Sequence, residues 1–200
     1  MSLGRPRKFE PEEILELVMD VFWSKGYEAT SLADLMAATG LHKGSLYQAF
    51  GDKKSLFMSA LQAYLDNIYQ MQFDIIKKNA DPAEGLREAL YCMLDYNYQG
   101  DEDSSNKGCM AVNTLVETAP HDPEISQLLE KQHAKFDRLF INTIQKAIDL
   151  HAVGNGLPAE TINGLLFLTM CGLSANTKNL MAQEQAKFLL DQQLELLCLK

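Results

Sequence analysis

The chain is short of the residues that most often reveal chemistry. Only four of its 200 residues are cysteine, Cys92, Cys109, Cys171 and Cys198. No two stand at Cys-x-x-Cys or other metal-ligand spacing, so reduced thiols packed as small apolar groups are the default expectation. Cys109 is the exception worth naming as a candidate redox or electrophile sensor. It follows Lys107-Gly108 at an expected helix start, beside a cation and a dipole end, the setting in which thiols become reactive. There is no His-Glu-x-x-His, no phosphate-binding glycine loop and no Gly-x-Ser-x-Gly. Glu130-Lys131-Gln132-His133 is one Glu-x-x-His where a di-iron bundle needs two and further glutamates. No catalytic residue, metal ligand or cofactor is therefore expected. Long apolar runs are missing too: Leu165-Leu166-Phe167-Leu168-Thr169-Met170-Cys171 falls short of the roughly 18 residues that cross a bilayer. Residues 1–13 are polar and charged, unlike a secretory leader, so the expectation is a cytoplasmic protein with no membrane partner.

Positive charge is scarce, with 18 Lys and Arg against 27 Asp and Glu, a net of -9. That excess argues against a nucleic-acid partner until its placement is considered. Residues 1–54 carry seven basic and eight acidic side chains, so nearly all of the excess lies downstream. Phosphates feel only charges within a Debye length of roughly 8 Å. Arg5, Arg7 and Lys8 form an arm without acids, while Lys43, Lys53 and Lys54 flank residues 42–48.

Strand-period alternation is absent as well, and helical punctuation stands in its place. Pro11 suits a first helical position, and Glu12 and Glu13 suit the positive dipole end. Ile14, Leu17, Val18, Val21 and Phe22 then repeat as a core stripe. Ser31 with Asp34 three residues on is a capping-box-like start, followed by Leu32, Leu35 and Met36 on one face. Gly40 permits the sharp turn, and Leu41 can tuck under the corner. In the next helix Leu46 and Phe50 face inward, leaving His42, Lys43, Gly44, Ser45, Tyr47 and Gln48 outward. Three helices sharing a small core with a polar, hydrogen-bonding outer face form a helix-turn-helix, a geometry that enters a DNA major groove.

The run Phe22-Trp23-Ser24-Lys25-Gly26-Tyr27-Glu28-Ala29-Thr30-Ser31, the turn Thr39-Gly40-Leu41 and the segment Gly44-Ser45-Leu46-Tyr47-Gln48-Ala49-Phe50-Gly51-Asp52-Lys53 resemble the N-terminal domain of the tetracycline-repressor (TetR) family of bacterial transcription regulators. The resemblance covers about residues 8–57; beyond that it is architectural. Two positions depart from the family pattern: Met36 stands where a small residue is usual, and His42 opens the recognition helix in place of Ser or Thr. The resemblance implies that the Tyr47 hydroxyl and Lys53 touch phosphates, and Thr30 and Ser31 count among the DNA-facing candidates. It also implies a two-fold dimer through a four-helix bundle of the final helices, reading a pseudo-palindromic operator.

Residues 55–200 read as helices nearly throughout. Breaks fall at Asp81-Pro82, Gly100 to Gly108, Ala119-Pro120, Gly154-Asn155-Gly156 and the polar stretch after Leu180. The expected fold is all-α: residues 1–54 a three-helix DNA-binding domain, residues 55–200 a larger helical domain for effector binding and dimerisation. For the dimer interface, Leu165, Leu168 and Gly172 lie on a wide face of mixed large and small residues, and Leu190, Leu194 and Leu197 follow near the chain end. An effector cavity would draw on Tyr64, Tyr91, Met110, Thr114 and Phe136, with Phe140, Phe167 and Met170. Asn113 and Glu117, at i and i+4 on an otherwise apolar helix, add a polar pair; a buried carboxylate there would need a partner or a cationic ligand. The function expected is a ligand-responsive, DNA-binding repressor acting as a homodimer. The alternatives are a thiol-sensing regulator using Cys109, and a helical small-molecule-binding protein with no operator.

Overall fold

Capping chemistry sets the helix boundaries. Ser31 accepts the Asp34 N–H at its Oγ at 3.2 Å, while the Asp34 carboxylate accepts the Ser31 N–H at 2.9 Å, so α2 (Leu32–Thr39) starts on a complete capping box. It stops at Gly40, whose φ of 67° is the left-handed conformation that a glycine adopts without a Cβ clash and whose N–H bonds to Met36 O at 2.9 Å. Asp81 and Asp122 cap the following Pro82 and Pro123 in the same spirit, each accepting backbone N–H groups before a proline at the first helical position.

The computed structural model describes residues 11–98, 107–150, 156–177 and 180–198. Among these, every regular element is a helix. The first is α1 (Pro11–Lys25); α3 (Lys43–Phe50) and α4 (Lys53–Lys78) follow α2, and then come α5 (Pro82–Asn97) and α6 (Met110–Glu117). The last three are α7 (Pro123–Asp149), α8 (Ala159–Asn176) and α9 (Gln183–Leu196). The all-α expectation holds. At the Ala119-Pro120 break α6 gives way to a 3-10 turn over Ala119–His121, where Pro120 has no N–H to continue the α-helical ladder and His121 N bonds instead to Thr118 O at 3.0 Å.

The chain divides into two compact units, Met1–Tyr64 and Leu65–Lys200. In the first, Ile14, Val18 and Phe22 of α1 are buried with Leu35, Leu46 and Leu56. Leu17 of the same stripe is 44% exposed, because it sits off the face that Ile14 and Val18 share. Aromatic edges lock this core: Phe22 meets Phe57 edge-on at 5.0 Å and Trp23 meets Tyr64 at 5.1 Å.

The second unit gathers α5, α7, α8 and α9 around Leu86, Leu90, Phe140, Ile144, Leu166 and Leu190. Leu190, Leu194 and Leu197, expected at a dimer interface, lie in this core at 0%, 3% and 3% exposure. The correction has a geometric cause: Ala186, Leu190, Leu194 and Leu197 recur at helical spacing on the face turned toward α5. Polar clamps fix that face, since Lys187 pairs with Asp95 at 2.7 Å, Gln183 donates to the same carboxylate at 2.9 Å, and the Tyr91 hydroxyl donates to Asp191. Truncating Leu190 to alanine leaves a cavity in this core and is expected to cost about 2–5 kcal/mol, read as a lower urea midpoint with the helical circular dichroism intact.

Candidate nucleic-acid interface

Helix α3 is anchored by Leu46, its one fully buried side chain. The remaining outward positions follow from that anchor: His42, Lys43, Gly44, Ser45 and Gln48 are exposed and Tyr47 is half-buried. No acidic side chain interrupts residues 42–50. Lys43 rests its ammonium 5.5 Å from the Tyr47 ring, so cation and phenol share one surface. His42 occupies the N-cap with extended backbone, yet its side chain makes no capping bond, which leaves the Lys43 and Gly44 amides and the imidazole available to an external acceptor, while the Ser45 N–H turns inward to His42 O at 3.0 Å.

Gly44 is the most telling residue of this face. A Cβ placed there would meet nothing within 4 Å, so packing among the described residues does not require glycine. Gly44 stands in the first turn of α3, where the missing side chain leaves the backbone open to close approach from outside.

The flanks of α3 are held by their own chemistry. Asp52 accepts the Ser55 N–H at 2.8 Å to start α4, and that bond together with the Ser55 hydroxyl holds its carboxyl below the usual range. Gly51 has φ 87° and a Cβ there would press on Ser55 at 3.2 Å, so this turn does require glycine. Lys53 lies 4.5 Å from the Tyr27 ring. On α2, the Lys25 ammonium bonds Asp34 at 2.5 Å, and this contact, followed by the two Ser31 donors, pushes the Asp34 carboxyl far below its ordinary value. Thr30 is buried and donates to Gly26 O at 2.6 Å, while Ser31 is spent on the α2 cap; both position the helix from within. Arg5, Arg7 and Lys8 lie outside the described residues.

In the second unit the expected effector residues separate into three groups. Met110, Thr114, Phe140 and Met170 are buried, and Phe136 is half-buried beside Tyr69 at 5.5 Å. Tyr91 is committed to Asp191, Asn113 donates to Lys107 O at 3.0 Å, and Phe167 is 39% exposed with its ring 4.3 Å from His133. Glu117 is exposed, so no buried carboxylate asks for a cationic ligand. Tyr64 belongs to the first unit. The sequence reading passed over Gln72, a fully buried amide on α4; its place at helical spacing between Ile68 and Ile76 was the available signal.

Cys109 stands at the N-cap of α6 with no side-chain capping bond and is half-buried. Burial first, and the charge of Cys109 second, raise the Cys171 thiol to about 11. Among the described residues, no three His, Cys, Asp or Glu side chains gather as a metal cluster, and no helix is long and apolar enough to cross a membrane.

A three-helix unit presenting such a face is a helix-turn-helix DNA-binding module, and the relatives of the chain are of that kind. Residues 14–60 match the sequence profile of bacterial regulatory proteins of the tetR family. The HTH-type transcriptional regulator YezE of Bacillus subtilis is 30% identical over 74% of this chain and 74% of its own length. The HTH-type transcriptional repressor ComR of Escherichia coli is 34% identical over 68% of this chain and 64% of its own. Among solved structures, a cysteine-substituted CifR, a TetR family regulator complexed with a 26-base-pair operator duplex, superposes with a TM-score of 0.82 at 28% identity, covering 96% of this chain and 98% of CifR. The chain belongs to the TetR family and is a DNA-binding transcriptional regulator.

The capping box makes the first unit acid-sensitive. The folded state holds Asp34 below its ordinary 3.8, so its stabilising effect is whole above that value and drains away as pH falls toward the lower folded value. Asp34→Asn is expected to melt at a lower temperature than wild type at pH 7, with the gap beginning to narrow only as pH falls below about 4 and still open at pH 3, as followed by circular dichroism melts of both proteins.

Proposed function

We propose that the chain is a ligand-responsive repressor that binds a pseudo-palindromic operator as a homodimer in the cytoplasm, by binding alone and without catalysis. The observation that carries this reading is the acid-free outer face of α3 with a glycine that packing among the described residues does not require. On that face His42, Lys43, Ser45 and Gln48 supply donors for bases and phosphates, and Tyr47 and Lys53 supply phosphate contacts. The basic arm of Arg5, Arg7 and Lys8 adds charge near the duplex.

The homodimer is supported by apolar surface left uncovered. Leu168, Phe188 and Leu196 are 67%, 58% and 75% exposed on α8 and α9, and Leu165, Phe167 and Leu189 join them. Gly172 is exposed on α8 with open space at its Cβ position, which suits close packing of a second helix. A two-fold pair of α3 helices set one DNA turn apart, about 34 Å, would then read two half-sites. The C-terminal unit takes the effector among Met110, Thr114, Phe136, Phe140 and Met170, and effector binding favours a conformer with lower operator affinity. That coupling is reciprocal, so operator binding weakens effector affinity by the same factor.

Two substitutions test the reading. Gly44→Ala is expected to raise thermal stability, by up to about 1 kcal/mol, while weakening binding to the DNA upstream of its own gene at least tenfold in a fluorescence-anisotropy titration. Unchanged affinity would remove α3 from the interface. Leu168→Glu places like charges face to face across a desolvated two-fold contact and is expected to yield folded monomer in sedimentation velocity; a dimer that survives would move the interface elsewhere.

A further inference from the structure

The second unit buries an amide that finds no partner. Gln72 has 0% exposure, and neither its Nε2 nor its Oε1 makes a hydrogen bond among the described residues. Its neighbours along α4 fix its surroundings. One residue earlier, the Met71 sulfur lies 3.5 Å from Cys92 Sγ on α5. Three residues earlier, the Tyr69 ring meets Phe136 of α7 edge-on at 5.5 Å. One turn later, Ile75 and Ile76 pack on the core of the unit. Gln72 thus stands on the inner side of α4, on the stretch that meets both α5 and α7.

Two more orphans share this unit. Gln132 of α7 donates through Nε2 to Asp66 of α4 at 2.8 Å, yet its Oε1 is buried and unpaired, and so is the Thr118 hydroxyl. Asp66, which holds Gln132, lies about 9 Å along α4 from Gln72. A buried amide without a partner keeps the full penalty of its lost hydration, which folded proteins seldom tolerate unless something outside the chain completes the bond.

The character of that partner follows from the charge census. Among the described residues no Asp, Glu, Lys, Arg or His side chain is buried; the buried polar groups of this unit are amides and hydroxyls. A charged head group would enter a low-dielectric interior with no counter-ion, at a cost that neutral hydrogen bonds do not offset. Gln72 offers one donor side and one acceptor side, complementary to a group that carries both.

We propose that Gln72 receives the polar end of an uncharged effector, an amide or lactam set on an apolar body, and that carboxylates and ammonium compounds are refused. This rests on the ligand-responsive reading above and names its ligand class and the residue that selects it.

The test uses the full-length protein and three matched probes, hexanamide, hexanoate and hexylammonium, with binding read by calorimetry and operator release by fluorescence anisotropy. Hexanamide is expected to bind at least tenfold more tightly than either charged probe. Gln72→Leu removes the orphan amide while keeping bulk and apolarity; it is expected to raise the melting temperature and to lose hexanamide binding at least tenfold. The assignment is overturned if a charged probe binds as tightly as hexanamide, if Gln72→Leu binds hexanamide as wild type does, or if none of the three binds. A lower melting temperature for Gln72→Leu without bound hexanamide would likewise overturn it, marking the amide as a partner of internal water only. If hexanamide binds through Gln72 but leaves operator affinity unchanged, the site stands and the ligand-responsive reading falls.

Discussion

An eight-residue helix has no independent existence in water, since nucleating the first turn costs more than so few hydrogen bonds return. The recognition face therefore depends on a single side chain, Leu46, whose complete burial against the core of the first unit holds α3 in place. Because one inward residue suffices, nearly every other position of α3 is released from packing and can carry hydrogen-bonding chemistry outward. The supports around it serve the same end. The Lys25, Ser31 and Asp34 contacts fix where α2 begins, Gly40 fixes how it turns, and Phe22 and Phe57 supply the core on which both helices rest.

Much of this was legible in the sequence because it is local. The Ser31 to Asp34 box, the proline after Asp81, and Gly40 act within a few residues of themselves, so the chain announces each of them directly. The exposed set on α3 follows from the helical period once Leu46 is taken as the inner residue. Facing was harder wherever both sides of a helix are apolar. In α9 leucines occupy both the inner side, at 190 and 194, and the outer side, at 189 and 196, and only the tertiary clamps at Asp95 and Asp191 decide which side is which. Gln72 was missed because a lone glutamine reads as surface, and its burial is a property of the assembled helices.

The two units divide the physics cleanly. The first presents polar groups, cations and backbone amides on its outside, where a polyanion is met with modest desolvation. Among its described residues the second buries only neutral polar groups, and it pushes its half-buried thiols, Cys92 and Cys171, away from ionisation. An interior so free of charge discriminates by hydrogen-bond complementarity, a selectivity that strengthens as water is excluded.

The glycine at position 44 carries a genetic consequence. If α3 reads DNA as proposed, replacing it with alanine makes a sturdier chain that cannot regulate, while the apolar faces of α8 and α9 stay intact. Such a chain still pairs with wild-type subunits and places one blunted recognition helix in every mixed pair. Loss of regulation by this route would be dominant and would leave abundant protein in the cell, the reverse of what a destabilising lesion produces.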